Sequence, residues 1–448
     1  MLRVVIVGSG PAGIYAADAL AQQAGGHEPW AVDIIDRLPA PYGLVRYGVA
    51  PDHLKIKSII NALRAVLEQP GVRFLGNIEV GHDVRLDELH RFYDVILFAN
   101  GAAVDRPIGI PGEALPGSAS AREFVAWYSG HPDAELDRFT LEAHSVAVVG
   151  VGNVAVDVAR VLAKTAAELR STDLPDHVLA VLERSQVRDV HMFGRRGPAQ
   201  AKFTTKELRE LGELANADVI VDPAELQLDA ASETAAAATA AVRRNVETLQ
   251  DWAQRDPAGR PRRLHLRFLL RPVEVLGPDR VAGLRLERCR LDGEGNAVGT
   301  GEHIEVAAQL LLRAIGYLGS SVPGLPFDER TGVVPNAGGR VLRDGAPVPG
   351  EYVAGWIKRG PTGVIGTNKG DARETVAAIV ADQAAAPSEQ ERDPQGLLRL
   401  LAERGVQVVT WAGWQAIDLA EVDLGRGQGR DRVKIADRGQ LLRAAADL

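Results

Sequence analysis

Val4-Val5-Ile6-Val7-Gly8-Ser9-Gly10-Pro11-Ala12-Gly13, continued through Ile14–Gln23 and Ala31–Ile35 to Asp36, is the stretch whose reading decides the fold. The opening apolar run is β-branched and reads as a buried parallel strand. A glycine-rich turn, a helical pattern and a second strand follow, and the second strand ends in an acid twenty-three residues after Gly13. These are the parts of a dinucleotide-binding fingerprint in order. Gly8 permits the tight turn, Gly10 lets the backbone approach a pyrophosphate, and Gly13 lets the helix pack closely on the strand. The helix N-terminus, with Pro11 and Ala12, offers free N–H groups and partial positive charge to phosphates. Asp36 can accept hydrogen bonds from a ribose diol. The alternative, a structural glycine turn, explains the glycines but not the acid placed one strand later.

The bulk of the chain fits a soluble globular protein of two or three domains: 448 residues, 46% hydrophobic and 25% charged. A net charge of −8 argues against a general nucleic-acid binder. The single cysteine, Cys289, excludes an internal disulfide, a redox CxxC pair and a Cys-ligated iron–sulfur cluster. No run is long and apolar enough to span a membrane. The fingerprint begins at residue 4, so no signal or transit peptide is expected, and the protein reads as cytoplasmic.

Outward from the fingerprint, Leu38 to His53 carries three prolines and two glycines and reads as neither helix nor strand. It is either a surface loop or, given its apolar content with Arg46 and His53, a segment packed over a ligand. A helix is expected over Ile56–Leu67, short strands over Val72–Leu75 and Asn77–Val80, and a buried strand over Tyr93–Ala99. Asp105–Pro116 suits an interdomain crossing.

Ser145–Gly150 then repeats the opening pattern. Gly150-Val151-Gly152-Asn153-Val154-Ala155 is a second fingerprint with alanine in the third glycine position, followed by a helix over Val156–Leu169. Its second strand, Val190–Phe193, ends in Gly194-Arg195-Arg196-Gly197 rather than an acid. An acid repels a 2′-phosphate, whereas adjacent arginines pair with one. The first fingerprint therefore suits FAD and the second NADP(H), unless Arg195 and Arg196 are only a solvated turn. Helices are expected over Thr204–Leu214 and Ala230–Gln254. Eight arginines against Glu247, Asp251 and Asp256, a balance of +5, mark Arg243–Arg271 as a local basic face, solvated or used for docking. Arg263–Leu270, Arg280–Cys289 and His303–Ala307 read as antiparallel strands, and Ala308–Ala314 as a buried strand. After a strand at Tyr352–Ala354, the turn Gly355–Asn368 leads into a helix over Asp371–Gln383, an anion-friendly helix N-terminus. A polar linker spans Ala384–Gln395, and the tail to Leu448 is helical.

Four blocks, GSGPAGIYAA, PAPYGLVRYGVAPDH, GVGNVAVDVAR with GRRGPAQAKFTTKELREL, and GWIKRGPTGVIGTNKGDA, together with the tail block WQAIDLAEVDLGRGQGRDRVKI, resemble adrenodoxin reductase and its bacterial ferredoxin–NADP reductase relatives over nearly the whole chain. The resemblance implies an α/β protein with two Rossmann-like, glutathione-reductase-type dinucleotide-binding domains, the NADP domain inserted into the FAD domain. The FAD domain would be 1–104 with 321–385, the NADP domain 105–320, and 386–448 a C-terminal helical extension packed on the FAD domain. It implies hydride transfer from NADPH to FAD and single-electron transfer to a ferredoxin-type iron–sulfur protein by a monomer, with no metal of its own and no nucleic-acid or membrane partner. The implied FAD contacts are Gly8, Gly10, Pro11, Ala12, Gly13, Asp36, Gly43, Leu44, Arg46, Val80, Gly355, Trp356, Gly363, Val364 and Ile365. The implied NADP contacts are Gly152, Asn153, Val154, Ala155, Arg195, Arg196, Glu207 and Gly363. His53 and Glu210 match the polar pair expected near the nicotinamide, and Arg209, Arg243 and Arg244 are candidates for docking the acidic ferredoxin. Asp36 replaces the family's usual Glu and Asn100-Gly101 its Thr-Gly. The single cysteine excludes a disulfide reductase and speaks against a glutamate-synthase-type subunit with its cysteine-rich clusters. The paired arginines speak against a non-catalytic flavin-binding protein.

Overall fold

The computed structural model describes residues 2–23, 30–385 and 392–446. They divide into two compact units, Met1–Arg106 with Ser129–Asp133 and Gly316–Leu448, and Pro107–Tyr128 with Ala134–Ile315.

The first unit is built on an eight-stranded sheet ordered Asn336–Ala337, Arg340–Arg343, Ala346–Val353, Val95–Phe98, Arg3–Val7, Ala31–Asp36, Val72–Gly76, Val409–Thr410. The five central strands run parallel, with Val4 opposite both Val32 and Val95. The strand Arg3–Val7 is buried along its whole length, as its β-branched sequence requires of a central parallel strand. On one face Ile14, Ala17 and Leu20 of the helix Pro11–Gln23 share a core with Ala372, Val376 and Ile379 of the helix Thr367–Ala385. The tail enters both cores of this unit: Trp414, Ile417 and Leu441 on that face, Leu397 and Leu401 on the other. The strands Val104–Asp105 and Tyr317–Leu318, where the chain leaves this unit and returns, pair antiparallel with each other.

The second unit holds a fully parallel six-stranded sheet, ordered Ser118–Ser120, Leu310–Arg313, Ser145–Val149, Asp189–Phe193, Arg262–Arg267, Ala217–Val221. Helices cover one face. A three-stranded antiparallel sheet, Leu270–Leu276, Gly283–Leu291 and Ala297–Ala307, shares a core with the other face through Leu284, Leu286, Ala147 and Phe193. No helix among the described residues is long and apolar enough to cross a membrane.

Several local expectations are corrected. Arg263–Leu270 is not an antiparallel strand. Its first part, Arg262–Arg267, lies parallel between two neighbours, and a left-handed Leu269, φ 55°, turns the chain into the small sheet. The loop 38–53 contains a one-turn helix, Leu44–Tyr47, entered through positive φ at Tyr42 and Gly43. Asn77–Val80 is not a strand; only Val80 bridges, to Val84. The helices expected over Ile56–Leu67, Val156–Leu169 and Ala230–Gln254 each break once, near Ser58, Lys164 and Thr239. Thr165 caps a new helix by accepting from the Glu168 N–H, a local bond that competes with helix continuation. Much of the linker expected over Ala384–Gln395 lies outside the described residues.

Candidate functional site

In the first unit the glycine turn sits at the C-terminal ends of parallel strands, where such sheets bind ligands. Gly8 has φ 113°, and a Cβ there would lie 2.5 Å from the Ala99 carbonyl oxygen. A Cβ on Gly13 would lie 2.0 Å from the Gly8 carbonyl oxygen, so only glycine lets this helix approach its strand. Gly43 packs back to back with Gly10, and the Tyr42 N–H donates to the Ser9 carbonyl at 3.0 Å. The loop 42–47 is thereby fixed beside the first turn of the fingerprint helix. Asp36 holds the turn from the other side. Its Oδ2 accepts from the Ser9 N–H (2.8 Å) and hydroxyl (2.6 Å), and its Oδ1 from the Leu38 N–H (2.9 Å). An acid expected to face a ribose thus already anchors the phosphate-loop backbone, with lone-pair capacity left on Oδ1.

Arg46 is turned inward, 4% exposed, in an ion pair with Glu421 of the tail. Gly355 and Trp356 follow the strand Ala346–Val353, and the Trp356 indole N–H donates to the Thr362 carbonyl at 3.1 Å. Gly363, Val364 and Ile365 precede the helix Thr367–Ala385. The surfaces of this unit fit a flavin dinucleotide. Leu44 and Val364 stand 43% and 63% exposed. Asn100 Oδ1 and Arg46 Nε are buried without a hydrogen-bond partner among the described residues. Apolar residues that remain open and polar atoms that remain unsatisfied are what a bound cofactor covers and satisfies.

In the second unit Gly152 caps the helix Asn153–Ala163, and the space where its Cβ would stand is open. Ala155 is fully buried. Asn153 Oδ1 accepts from the Thr204 N–H at 2.8 Å, fixing the start of the next helix to the fingerprint. At the end of the strand Asp189–Phe193, the Gly194 N–H donates to the Arg267 carbonyl and the Leu269 N–H to the Arg196 carbonyl, at 2.9 and 3.2 Å. Arg195 is exposed and Arg196 half-buried, and neither has an ion-pair partner among the described residues. Two anchored, unneutralised guanidinium groups beside an open helix N-terminus fit a dinucleotide that carries an extra phosphate.

A model of the pyridine nucleotide-disulphide oxidoreductase family matches residues 2–210. The NADPH-ferredoxin reductase FprA of Mycobacterium tuberculosis is 45% identical over 98% of both chains. The chain belongs to the NADPH-ferredoxin reductase family. It is also 42% identical to the mitochondrial NADPH:adrenodoxin oxidoreductase of Arabidopsis thaliana, over 100% of this chain and 96% of that one. The structure of M. tuberculosis FprA in complex with NADPH superposes with a TM-score of 0.94 at 45% identity, covering 99% of each chain. This reductase has no dithiol for disulfide chemistry, since its one cysteine, Cys289, is buried in a strand and its thiol pKa is pushed up by burial.

The reductase places Glu207 and Glu210 on the helix Thr205–Gly212, both facing Arg160 of the fingerprint helix. Arg160 is 2% exposed, 2.9 Å from Asp157, 3.3 Å from Glu210 and 3.6 Å from Glu207. Sequence reading passed over this arginine. Its signal was a pair of charges three residues apart, Asp157 and Arg160, inside the otherwise apolar run Val154–Leu162. His53, in the first unit, is buried at the N-terminus of the short helix Leu54–Lys57. The basic run Arg243–Arg271 is corrected by its surroundings. Arg262 donates to the Leu162 carbonyl, and Arg260, Arg263, Arg267 and Arg271 pair with Asp218, Asp189, Glu225 and Glu287. Four of the eight arginines are thus met by acids from outside the run, so much of the +5 is neutralised locally although Arg260 and Arg263 stay exposed. Arg209, Arg243 and Arg244 are exposed on two helices that pack together, with no ion pair among the described residues.

Proposed function

We propose that the protein carries electrons from NADPH through FAD to a ferredoxin-type iron–sulfur protein, in the cytoplasm and as a monomer. The observation that carries this reading is the unneutralised pair Arg195 and Arg196 closing a second dinucleotide fingerprint, in a chain that already has a complete first one. Bound FAD supplies the ability to take hydride and give electrons up singly. The chain's own residues bind, orient and shield. Gly8–Gly13 and the helix they open receive the pyrophosphate of FAD, and Asp36 holds that loop in shape. Gly43, Leu44, Val80 and Gly355–Trp356 with Gly363–Ile365 cover the cofactor, and Arg46 Nε and Asn100 Oδ1 are polar atoms it can satisfy. Gly152–Ala155 receive the NADP pyrophosphate, with Glu207 and Gly363 as further contacts. His53 and Glu210 are proposed to move the proton that accompanies reduction.

The protein should purify yellow, and acid release followed by chromatography should give FAD. Anaerobic NADPH should bleach it, and cytochrome c should then be reduced only when a ferredoxin is added. A protein that holds FAD but is not bleached by NADPH would be a flavin-binding protein and would end this reading.

Arg209, Arg243 and Arg244 are the proposed docking cations for the acidic partner. Opposite charge steers encounter more than it adds affinity. Changing Arg243 and Arg244 together to Glu should therefore slow ferredoxin reduction roughly tenfold at low salt and flatten its salt dependence. NADPH-to-ferricyanide turnover should stay near the parent value. An equal fall in both activities would move the docking face elsewhere.

A further inference from the structure

We propose that Asp189, His191 and His265 bind one divalent transition-metal ion of the zinc type, set back along the second unit's sheet from the strand ends that carry its fingerprint. His191 and His265 lie directly opposite each other on the adjacent parallel strands Asp189–Phe193 and Arg262–Arg267. Asp189, two residues before His191, projects from the same face. One ligand atom from each of the three lies within 4.8 Å of the others. His265 Nε2 is 2.8 Å from Asp189 Oδ1, and the two imidazoles stack with centroids 4.3 Å apart. His191 Nδ1 is buried and has no hydrogen-bond partner among the described residues, a state that a polar atom rarely keeps.

Two imidazole nitrogens and one carboxylate oxygen, with water in the fourth position, are a zinc-type donor set. Neutral imidazoles and an ionised carboxylate are the forms that ligate, so binding should release protons and strengthen as pH rises. Ligation at His265 Nε2 places that ring's proton on Nδ1. The stacked rings close on one ion by turning about χ2, a soft torsion, and by drawing in about an ångström toward contacts of about 2.0–2.2 Å. The opposing group is Arg263, whose half-exposed guanidinium meets Asp189 at 2.6 Å. Arg267, the next arginine on that strand, is held by Glu225. An ion here pins two neighbouring strands together and takes no part in electron transfer.

The test uses the FAD-loaded protein with any affinity tag removed. Calorimetric titration with Zn²⁺ and absorption titration with Co²⁺, read at wavelengths beyond the flavin bands, should each give one ion per chain. His265→Gln and Asp189→Asn should weaken binding at least roughly tenfold, whereas Arg263→Gln should tighten it by removing a competing cation. FAD content and ferricyanide turnover should not change in any of the three, which shows that they are folded. Absence of a stoichiometric ion in the parent protein, or equal affinity in His265→Gln, would overturn the site.

Discussion

Replacing Arg195 and Arg196 together by alanine will remove most of the preference for NADPH over NADH. The backbone on either side of Arg195 is tied to the chain segment 267–269, by the Gly194 N–H to the Arg267 carbonyl and by the Leu269 N–H to the Arg196 carbonyl, so the guanidinium groups leave from a fixed point. A 2′-phosphate carries about −1.5 to −2 charge at neutral pH, and arginine can meet it with charge-assisted, two-pronged hydrogen bonds. Such a contact contributes about 1.5–3 kcal/mol. Arg195 is exposed and Arg196 half-buried, so the lower end applies to each. Two contacts at that level total about 3 kcal/mol, or roughly a hundredfold, since about 1.4 kcal/mol is tenfold. The loss should fall on the KM for NADPH, because the 2′-phosphate lies far from the reacting carbon and is held equally before and during transfer. Use of NADH should stay nearly unchanged. The deciding measurement is kcat/KM for both nucleotides in parent and double variant. A variant that keeps its NADPH preference would mean that the phosphate is read by other residues.

The two fingerprints were legible because local chemistry alone specifies them. A strand, a glycine turn, a helix and the residue ending the next strand are all set within one stretch of sequence, Val4–Asp36 in the first and Ser145–Arg196 in the second. What escaped was decided by residues far apart in the chain. Arg262–Arg267 alternates charge and apolarity like a half-exposed antiparallel strand. As a parallel interior strand it finds partners from other parts of the chain: Asp189 for Arg263, Glu225 for Arg267, and the Leu162 carbonyl for Arg262. The one-turn helix Leu44–Tyr47 lies in a stretch rich in turn formers, and positive φ at buried Tyr42 is held by packing on Trp414, with ring centroids 5.8 Å apart. Arg46 illustrates both sides. Its place in the motif was visible from sequence, yet its ion-pair partner is 375 residues away.

That partner, Glu421, is the tail residue whose removal should cost the most stability. Arg46 is 4% exposed and Glu421 is fully buried, with Nη2 and Oε1 2.5 Å apart. Glu421 Oε1 also accepts from the Ile435 N–H at 2.9 Å, and Lys434 Nζ donates to the Arg46 carbonyl at 2.6 Å. The guanidinium lies 5.0 Å from the rings of both Tyr47 and Trp414. Burial alone would lower the Arg46 pKa, but the Glu421 charge outweighs it and holds the group firmly protonated. Glu421→Ala therefore leaves a cation in a dry site rather than neutralising it. Breaking a buried pair in this way costs about 3–5 kcal/mol, far above the ordinary effect of a substitution. The damage should reach the cofactor, because Leu44–Tyr47 and Gly43, packed on Gly10, belong to the same loop. Glu421→Ala should lower the urea midpoint strongly and release FAD early, read as a rise in flavin fluorescence before the tryptophan signal changes. Arg46→Met combined with Glu421→Leu removes both charges and fills the volume, so it should recover much of the stability lost by Glu421→Ala. Arg46 Nε is then absent, and tight FAD binding should not return with it. A double variant no more stable than Glu421→Ala would locate the loss in the hydrogen bond to Ile435 instead of in the stranded charge.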